Sequence, residues 1–488
     1  MSIVQPRPTA PPIAGYALFA IAVIAAAGVV LAEPYVVDLI SRRIWRKVHL
    51  LDFPAKASLL ASIALVAASV AVYYARRATD ARTLMVVLMA IAMQTSGVKF
   101  YPTPLNLITV LPFVVILFVL AESVMRPSAP IHLTSVTFFA LLLLLLDLPY
   151  AIDLNVYAPT RFIINFTSGL KAIAVAIAII LVIDDERHLR AALRALVIVG
   201  IIAAIIGILQ ILLDKFAHIT FSLVTEKAQT KPTFLGTVLR ASGLTTWSQH
   251  LADYMLLVLP FMLFSVMTAR RAWHRLGWLA AIAAVLAAVV LTFSYAGYFG
   301  VAVILVIFAF LWWPQRTPHF VLAVVVVCAV GYVFDGHKWL YAKYEKYVAS
   351  STGMVERRVY LHATLDELTR DPWAGSGFYA EEEFSGNYYR KRVHNTPLQA
   401  WSNLGLAGLA VFLGMMALVY TQLWIAGACA REERWRHRLQ ALALGMTGAG
   451  VAMLAEPNLT APHTWYMVGL ASAAVRVWTA REAAGTPP

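Results

Sequence analysis

His394, late in the chain, is the residue whose type and position most directly suggest a chemical role. His394 directly precedes Asn395 and Pro397 at the start of a long apolar segment, and Arg390 and Arg392 lie just before it. A neutral imidazole at such a junction between a loop and a helix can accept a proton from a hydroxyl group as a general base. A histidine that only caps the helix or lies at a membrane interface fits the same pattern, and residue type alone favours this structural alternative.

Three further basic residues have positions that suit the binding of anions. Arg240 shortly precedes an apolar segment that begins near His250, Arg161 precedes another, and Lys171 lies inside one. A guanidinium group pairs bidentately with phosphate oxygens and keeps its charge in a low-dielectric setting, so these positions could hold a pyrophosphate. Each side chain could instead anchor the chain to phospholipid head groups, which is the commoner role of a lone arginine. Lys171 is the least usual of the three, because charges inside a membrane span are usually functional.

Several common catalytic signatures are missing from the sequence. It contains no GxxxxGK[ST] phosphate loop, no HExxH zinc motif and no Asp-x-Asp pair that would bridge a metal to a nucleotide-sugar. The acidic run from Asp184 to Glu186 lies in a break between apolar segments, and we interpret it as a solvated loop. We therefore do not expect a metal-bridged nucleotide-sugar transferase, and no motif predicts a cofactor.

The elements that must position these residues are transmembrane helices. The 488 residues are 60% hydrophobic and 13% charged, whereas soluble domains are about half apolar and about a quarter charged. Backbone groups in a bilayer must be paired internally, so apolar segments of roughly 20 residues are helices. The formal net charge of +13 would suit a nucleic-acid binder, but the basic residues cluster between spans, as the positive-inside rule predicts. We expect no nucleic-acid partner.

The apolar segments predict an all-α, polytopic transmembrane bundle of about 12–14 spans. Candidate spans lie near 13–32, 57–75, 83–98, 105–122, 133–150, 164–183, 192–213, 250–268, 276–294, 296–313, 320–334, 398–426, 437–455 and 464–480. The breaks between them divide the chain into N-terminal helices (1–213), a loop with Arg240 (214–249), central helices (250–334), a large loop (335–396) and C-terminal helices (397–488).

Counting spans predicts which breaks share a side of the membrane. Both termini and four basic breaks fall on one side, which the positive-inside rule makes cytoplasmic: 76–82, 187–194, 269–275 and 431–438. The two long loops fall on the periplasmic side of a bacterial inner membrane. The basic segment 33–56 also falls there, against the rule, and suits an interfacial helix that meets anionic head groups.

The large loop carries its own helix. Leu361, Leu365 and Leu368 repeat at helical spacing between Met354 and Arg370, and the following Asp-Pro pair ends the pattern. A glycine turn comes next, and a charged stretch then leads back to the membrane at His394.

In this order, the motifs resemble the O-antigen ligase and polymerase superfamily, which transfers glycans from undecaprenyl pyrophosphate on the periplasmic side. The resemblance runs from about 170 to 480 and rests on Gly207-xx-Gln210, Arg240-xx-Gly243, Glu356-Arg357, Pro372-Trp-Ala-Gly375-Ser-Gly377-Phe378, His394-Asn395-xx-Leu398-Gln399 and Leu404-Gly405-xx-Gly408. One feature departs from the family. Where relatives often carry Ser-Arg at the outer end of a central span, this chain has Thr292-Phe-Ser294.

The resemblance implies a metal-independent, inverting glycosyl transfer in which His394 deprotonates the acceptor hydroxyl. It further implies that Arg240 binds the departing pyrophosphate and that Asn395 and Gln399 contact substrate. Because the Ser-Arg pair is missing, Arg357 or Arg161 would supply the second arginine.

The leading functional hypothesis is an O-antigen ligase that joins undecaprenyl-pyrophosphate-linked polysaccharide to the lipid A-core oligosaccharide, with membrane lipid around it. Two alternatives stay within the superfamily: an O-antigen polymerase and a protein O-oligosaccharyltransferase. A non-enzymatic transporter of lipid-linked glycans is a third alternative, and it would need no general base at His394.

Overall fold

The computed structural model describes eleven stretches of the chain: 81–95, 107–125, 131–157, 159–217, 230–233, 236–245, 247–316, 319, 352–373, 375 and 393–484. The predicted spans near 13–32, 57–75 and 320–334 and the basic segment 33–56 lie outside these residues. The predicted total of spans and the five-part division therefore stay predictions.

The described residues are almost entirely helical, as predicted. Within the described ranges lie twelve α-helices: α1 (Ala81–Gln94), α2 (Leu107–Met125), α3 (Ser135–Tyr157), α4 (Pro159–Val182), α5 (Glu186–Ala217), α6 (Ser248–Thr268), α7 (Ala272–Leu291), α8 (Tyr295–Trp312), α9 (Thr352–Arg370), α10 (Thr396–Cys429), α11 (Glu433–Met453) and α12 (Pro462–Ala483). A short 3₁₀ helix follows α8 at Pro314–Arg316. The sequence did not predict the antiparallel hairpin of β1 (Thr230–Thr233) and β2 (Gly236–Leu239), in which Thr230 pairs with Leu239.

The helix lengths confirm a polytopic membrane bundle. Within the described ranges, six helices are long and apolar enough to cross a bilayer: α2, α5, α6, α7, α8 and α10. Helix α7 leaves most of its apolar surface open, as a helix facing lipid does, whereas α6 is mostly buried among its neighbours. Helix α9 is too polar to span and forms the predicted helix of the large loop.

Helices α6, α11 and α12 form the centre of the bundle. Helix α11 packs against α6, α8 and α10, and α12 packs along α4. Large side chains fill this centre, among them Trp435, Trp465 and Tyr466, which are all fully buried. Tyr254 of α6 is equally buried and donates its hydroxyl proton to the Leu196 carbonyl of α5 at 3.2 Å. Close packing of this kind holds helices together in lipid, where the hydrophobic effect between helices is weak.

One end of the bundle is tied together by ion pairs. Arg82 of α1 contacts Glu122 of α2 at 2.9 Å and Asp184 of the α4–α5 link at 2.6 Å. Burial alone would raise the pKa of Asp184, but a hydrogen bond with His188 and the charge of Arg82 outweigh it and lower the pKa below its usual value. The interpretation of this acidic run as a solvated loop is wrong, because its carboxylates connect four elements.

Glu186 extends the same network to the C-terminal helices. Its carboxylate contacts Arg438 of α11 at 2.9 Å and also Arg481 near the end of α12. The breaks around 187–194 and 431–438 and the C-terminal tail therefore share one end of the bundle, which confirms that part of the predicted arrangement. Which side of the membrane this end faces stays a prediction.

Candidate functional site

The opposite end of the bundle holds His394, directly before α10. Asn395 is the N-cap of this helix, since its side-chain oxygen accepts a hydrogen bond from the Leu398 amide at 2.9 Å. Pro397 occupies the first turn, where its fixed φ and missing N–H favour helix initiation. Asn395 supplies the cap, so the alternative in which His394 itself caps the helix is wrong. The His394 side chain is 32% exposed at this end.

The imidazole of His394 faces a buried carboxylate from the link between α11 and α12. Its Nδ1 lies 3.6 Å from Oε2 of Glu456, whose side chain is only 7% exposed. The other carboxylate oxygen of Glu456 accepts a hydrogen bond from Nη2 of Arg357 at 3.4 Å. Nη1 of Arg357 donates to the Ala455 carbonyl, also at 3.4 Å. Glu456 thus joins a histidine and an arginine that are distant from it in sequence.

The motif that follows His394 holds this link in place. The Thr396 hydroxyl donates to the Glu456 carbonyl at 2.6 Å, and the Asn458 amide donates back to that hydroxyl at 2.9 Å. The Asn395 side chain donates to the Leu454 carbonyl at 3.0 Å. Gln399 is fully buried and accepts from the Leu459 amide at 3.1 Å. Asn395 and Gln399 therefore contact the protein itself in positions that fix Glu456.

A second buried carboxylate, Asp253, is hydrogen-bonded to the link between α11 and α12. Asp253 of α6 is only 1% exposed, and its Oδ2 accepts a hydrogen bond from the Asn458 side chain at 2.9 Å. Nε2 of His463, at the start of α12, lies 3.1 Å from the same oxygen. The rings of His250 and His463 approach within 5.0 Å between centroids. A buried polar cluster of this kind is costly inside a membrane protein and usually serves a functional site.

Arg240 lies at the same end of the bundle, directly before a turn that hydrogen bonds from Gln210 hold in place. The Gln210 side chain of α5 accepts hydrogen bonds from the amides of Ser242 and Gly243 at 3.1 and 2.9 Å and donates to the Gly243 carbonyl at 2.8 Å. Gly243 has a φ of 59°, which a residue with a side chain adopts only at a cost. The two motif pieces around Gln210 and Arg240 thus form one unit.

The guanidinium of Arg240 lies partly buried beside the end of α7. Its Nε donates to the Thr292 carbonyl at the end of α7 at 2.7 Å. Among the described residues this is its one hydrogen bond, so the terminal nitrogens remain available to an anion. Burial lowers the pKa of Arg240; the carboxylate of Glu456 opposes this effect, and the charge of Arg357 adds to it. A bound anion would stabilise this partly buried cation. Arg240 thus stands beside Thr292-Phe-Ser294, the position where relatives often carry an arginine.

The glycine turn of the large loop packs on a kink in α10. The Pro372 carbonyl accepts hydrogen bonds from the Leu406 amide and the Trp401 indole, both at 2.9 Å. Gly405 has a φ of 69° and interrupts the helix. A Cβ atom on Gly375 would lie 2.7 Å from the Asn403 carbonyl carbon and 2.9 Å from the Gly405 amide nitrogen. Only glycine lets the loop approach α10 this closely.

The sequence that forms this site can be compared with the sequences of known protein families. Residues 280–413 match the profile of a family described as O-Antigen ligase. This stretch of the chain is similar to an O-antigen ligase domain. This domain contains His394, Arg357 and the glycine turn, and it confirms the resemblance to the superfamily. A comparison of the chain with curated proteins found no match.

This match and the long apolar helices together point to a multi-pass membrane protein, similar to proteins of the ligase and polymerase superfamily. The match implies partners of the kind that this family handles, lipid-linked glycans and membrane lipids.

The structure groups some of the predicted site residues and adds one. His394, Arg357 and Arg240 lie around Glu456, which sequence reasoning missed although an acidic residue in an apolar stretch was a usable signal. Arg161 lies in the first turn of α4, and its side chain falls outside the described part of the chain. The role of Arg161 as a pyrophosphate ligand stays a prediction.

Proposed function

We propose that this O-antigen ligase domain performs ligation itself: it transfers polysaccharide from undecaprenyl pyrophosphate to the lipid A-core oligosaccharide on the periplasmic face. One observation carries the proposal. The partly exposed His394 lies 3.6 Å from the buried carboxylate of Glu456. The charge of Glu456 also acts on the guanidinium of Arg240, whose terminal nitrogens are available to an anion. A general base and a pyrophosphate ligand are the two groups that this transfer needs.

His394 acts as the general base through its Nε2 atom. Nδ1 faces Glu456, which leaves Nε2 for the acceptor. In other carboxylate–histidine pairs, the base is likewise the ring nitrogen that points away from the carboxylate. Nε2 takes the proton of the acceptor hydroxyl while the oxygen attacks the anomeric carbon. The bond from that carbon to pyrophosphate breaks, and the electron pair leaves with undecaprenyl pyrophosphate. A single displacement inverts the anomeric configuration.

Glu456 is a positioning residue for His394. The imidazole becomes positively charged as it takes the proton, and a carboxylate at 3.6 Å stabilises that charge. Arg357 fixes the opposite carboxylate oxygen, so Glu456 keeps its orientation. We assign Asn395 and Gln399 to the same task, since they hold the link that carries Glu456.

Arg240 stabilises the leaving group. Negative charge grows on the pyrophosphate oxygen as the sugar bond breaks, and a preorganised cation in a low-dielectric site lowers the energy of that state. Arg357 adds positive charge on the other side of Glu456, and Arg161 remains the candidate for a further contact. Pyrophosphate departs readily once its charge is balanced, so the mechanism calls for neither a metal ion nor a general acid.

The identity of the acceptor can be tested with the purified full-length protein in detergent. The protein is incubated with undecaprenyl-pyrophosphate polysaccharide, with or without lipid A-core, without nucleotide and with EDTA, and the products are separated on gels. A ladder of polysaccharide joined to lipid A-core, unaffected by EDTA, is the expected result. Longer donor chains without a conjugate would identify a polymerase instead. A reaction that EDTA abolishes would contradict the metal-independent mechanism.

A further inference from the structure

A large cavity opens at the end of the bundle opposite to His394. It measures about 1010 Å³ and lies between the last turn of α6, the first turns of α5, α7 and α11, and the end of α8. The same helices reach the candidate transfer site with their other ends, at Gln210, Asp253, Thr292 and Glu456. The cavity is therefore separated from that site by the full length of the spans.

The cavity is strongly basic. It is lined by six arginines and a single carboxylate, Glu433; the arginines are Arg190, Arg194, Arg270, Arg271, Arg434 and Arg438. Glu186 pairs with Arg190 at 3.7 Å and with Arg438 at 2.9 Å. The other four arginines have no carboxylate within 4.0 Å among the residues that the structure describes. Their charges repel one another, and a bound anion would relieve that repulsion.

The floor of the cavity is aromatic and apolar. Phe264 of α6 is buried and stacks on the His437 ring at 5.0 Å between centroids, and Trp312 of α8 lies 5.4 Å from the same histidine. Phe261 and Trp278 complete this floor. A basic rim above an apolar floor suits an amphiphile with an anionic head better than it suits a free inorganic anion.

An apolar stripe on α5 leads out of the cavity. Ile198 lines the cavity and is exposed, and four more exposed apolar residues follow on the same helix face: Ile202, Ile205, Leu209 and Leu212. Their spacing of three and four residues keeps them on one side of α5. An acyl chain whose head group sits in the cavity would lie along this stripe.

We propose that this cavity is a binding site for the phosphate head group of an anionic phospholipid. The arginines pair with the phosphate oxygens, and the acyl chains lie on the apolar face of α5. Basic pockets between spanning helices are suited to anionic head groups, and each basic residue near the surface contributes to the attraction. The span count predicts that this end faces the cytoplasm, and on that prediction the lipid belongs to the cytoplasmic leaflet.

Binding of a short-chain lipid to the delipidated full-length protein in detergent tests the proposal. Dioctanoyl phosphatidylglycerol is titrated against dioctanoyl phosphatidylcholine, inorganic phosphate and glycerol 3-phosphate, with binding measured by thermophoresis. The test variant is Arg270→Gln/Arg271→Gln, which removes two charges from the rim. The matched control is Arg358→Gln/Arg431→Gln, which removes two exposed charges that do not line the cavity.

The expected result is saturable binding of the phosphatidylglycerol, weaker binding of the phosphatidylcholine and a loss of about 30-fold in the test variant alone, equal to about 2 kcal/mol. Equal affinity for the two lipids, or unchanged affinity in the test variant, would overturn the proposal. So would glycerol 3-phosphate binding as tightly as the lipid, since it would identify a soluble phosphate compound as the ligand. Unfolding midpoints without ligand verify that both variants are folded. The readout is binding, so it does not depend on the proposed transfer reaction.

Discussion

Replacing Glu456 by glutamine removes the charge that faces His394 and changes little else. Glutamine has nearly the same shape as glutamate, and its amide oxygen can still accept the hydrogen bond from Arg357. What the variant loses is a negative charge 3.6 Å from the imidazole nitrogen. This charge matters most when the imidazole is protonated, which in the proposed mechanism occurs as the acceptor hydroxyl attacks.

The expected size follows from the geometry. Two unit charges 3.6 Å apart interact by about 4.6 kcal/mol at an effective dielectric constant of about 20. His394 is 32% exposed and Glu456 is shared with Arg357, so solvent and the arginine screen this interaction. Taking roughly half of the value leaves about 2 kcal/mol, or a loss of about 30-fold in rate.

Steady-state kinetics of polysaccharide transfer measure the effect. We expect Glu456→Gln to lower kcat by about 30-fold and to leave KM for the donor within about twofold, because the lost interaction exists only in the transition state. Asp366→Asn, which removes an exposed carboxylate from α9 in the same loop, should be indistinguishable from the wild type. An unchanged kcat in Glu456→Gln would refute the role of this carboxylate. So would a loss that appears only as a higher KM.

Three further predictions concern other parts of the protein. Arg240→Lys should lower kcat/KM for the donor by about 10–100-fold, because lysine lacks the planar fork that pairs with phosphate oxygens as the leaving group gains charge. Arg358→Lys, at an exposed residue near the site, should keep the wild-type kcat/KM, and equal values in both variants would contradict the role of Arg240. Gly375→Ala should lower kcat by at least about tenfold, because the new Cβ atom meets the backbone of α10 and displaces the loop. The control is Gly450→Ala, whose added Cβ atom has nothing within 4 Å; this variant should have the activity of the wild type. Asp184→Asn should lower the unfolding midpoint at pH 7 by roughly 2–4 °C. The pKa of this carboxyl is lowered in the folded protein, so its contribution is complete above the ordinary value of 3.8 and is lost as the pH falls through the folded-state value. Melts of the two proteins should therefore converge in acid, and equal midpoints at pH 7 would contradict the role of the ion pairs.

The spans could be predicted from the sequence because the bilayer imposes a length and a composition on each helix. The apolar segments near 250–268 and 296–313 agree closely with α6 and α8. The helix of the large loop was also predicted, from its leucine spacing and the Asp-Pro pair that follows it. The hairpin before Arg240 was missed because its two strands are short and carry no clear alternation.

The site was predicted in part. The start of α10 could be deduced from Asn395 and Pro397, and this placed His394 at the edge of the bundle. Its partner could not be deduced, because Glu456 is 62 residues away and meets the histidine only through the packing of α10 against the α11–α12 link. The ion pairs of Asp184 and Glu186 were missed for the same reason: a charged run looks alike in sequence whether it faces water or a distant arginine.

Transfer by two histidine variants tests the central claim most directly. His394→Ala removes the proposed base, and His362→Ala removes an exposed histidine of α9 in the same loop. In the reconstituted reaction, we expect the rate of His394→Ala to fall by about 10²-fold or more while KM for the donor stays near that of the wild type. His362→Ala should transfer polysaccharide at the wild-type rate. Transfer by His394→Ala at the wild-type rate would contradict the assignment of His394 as the catalytic base.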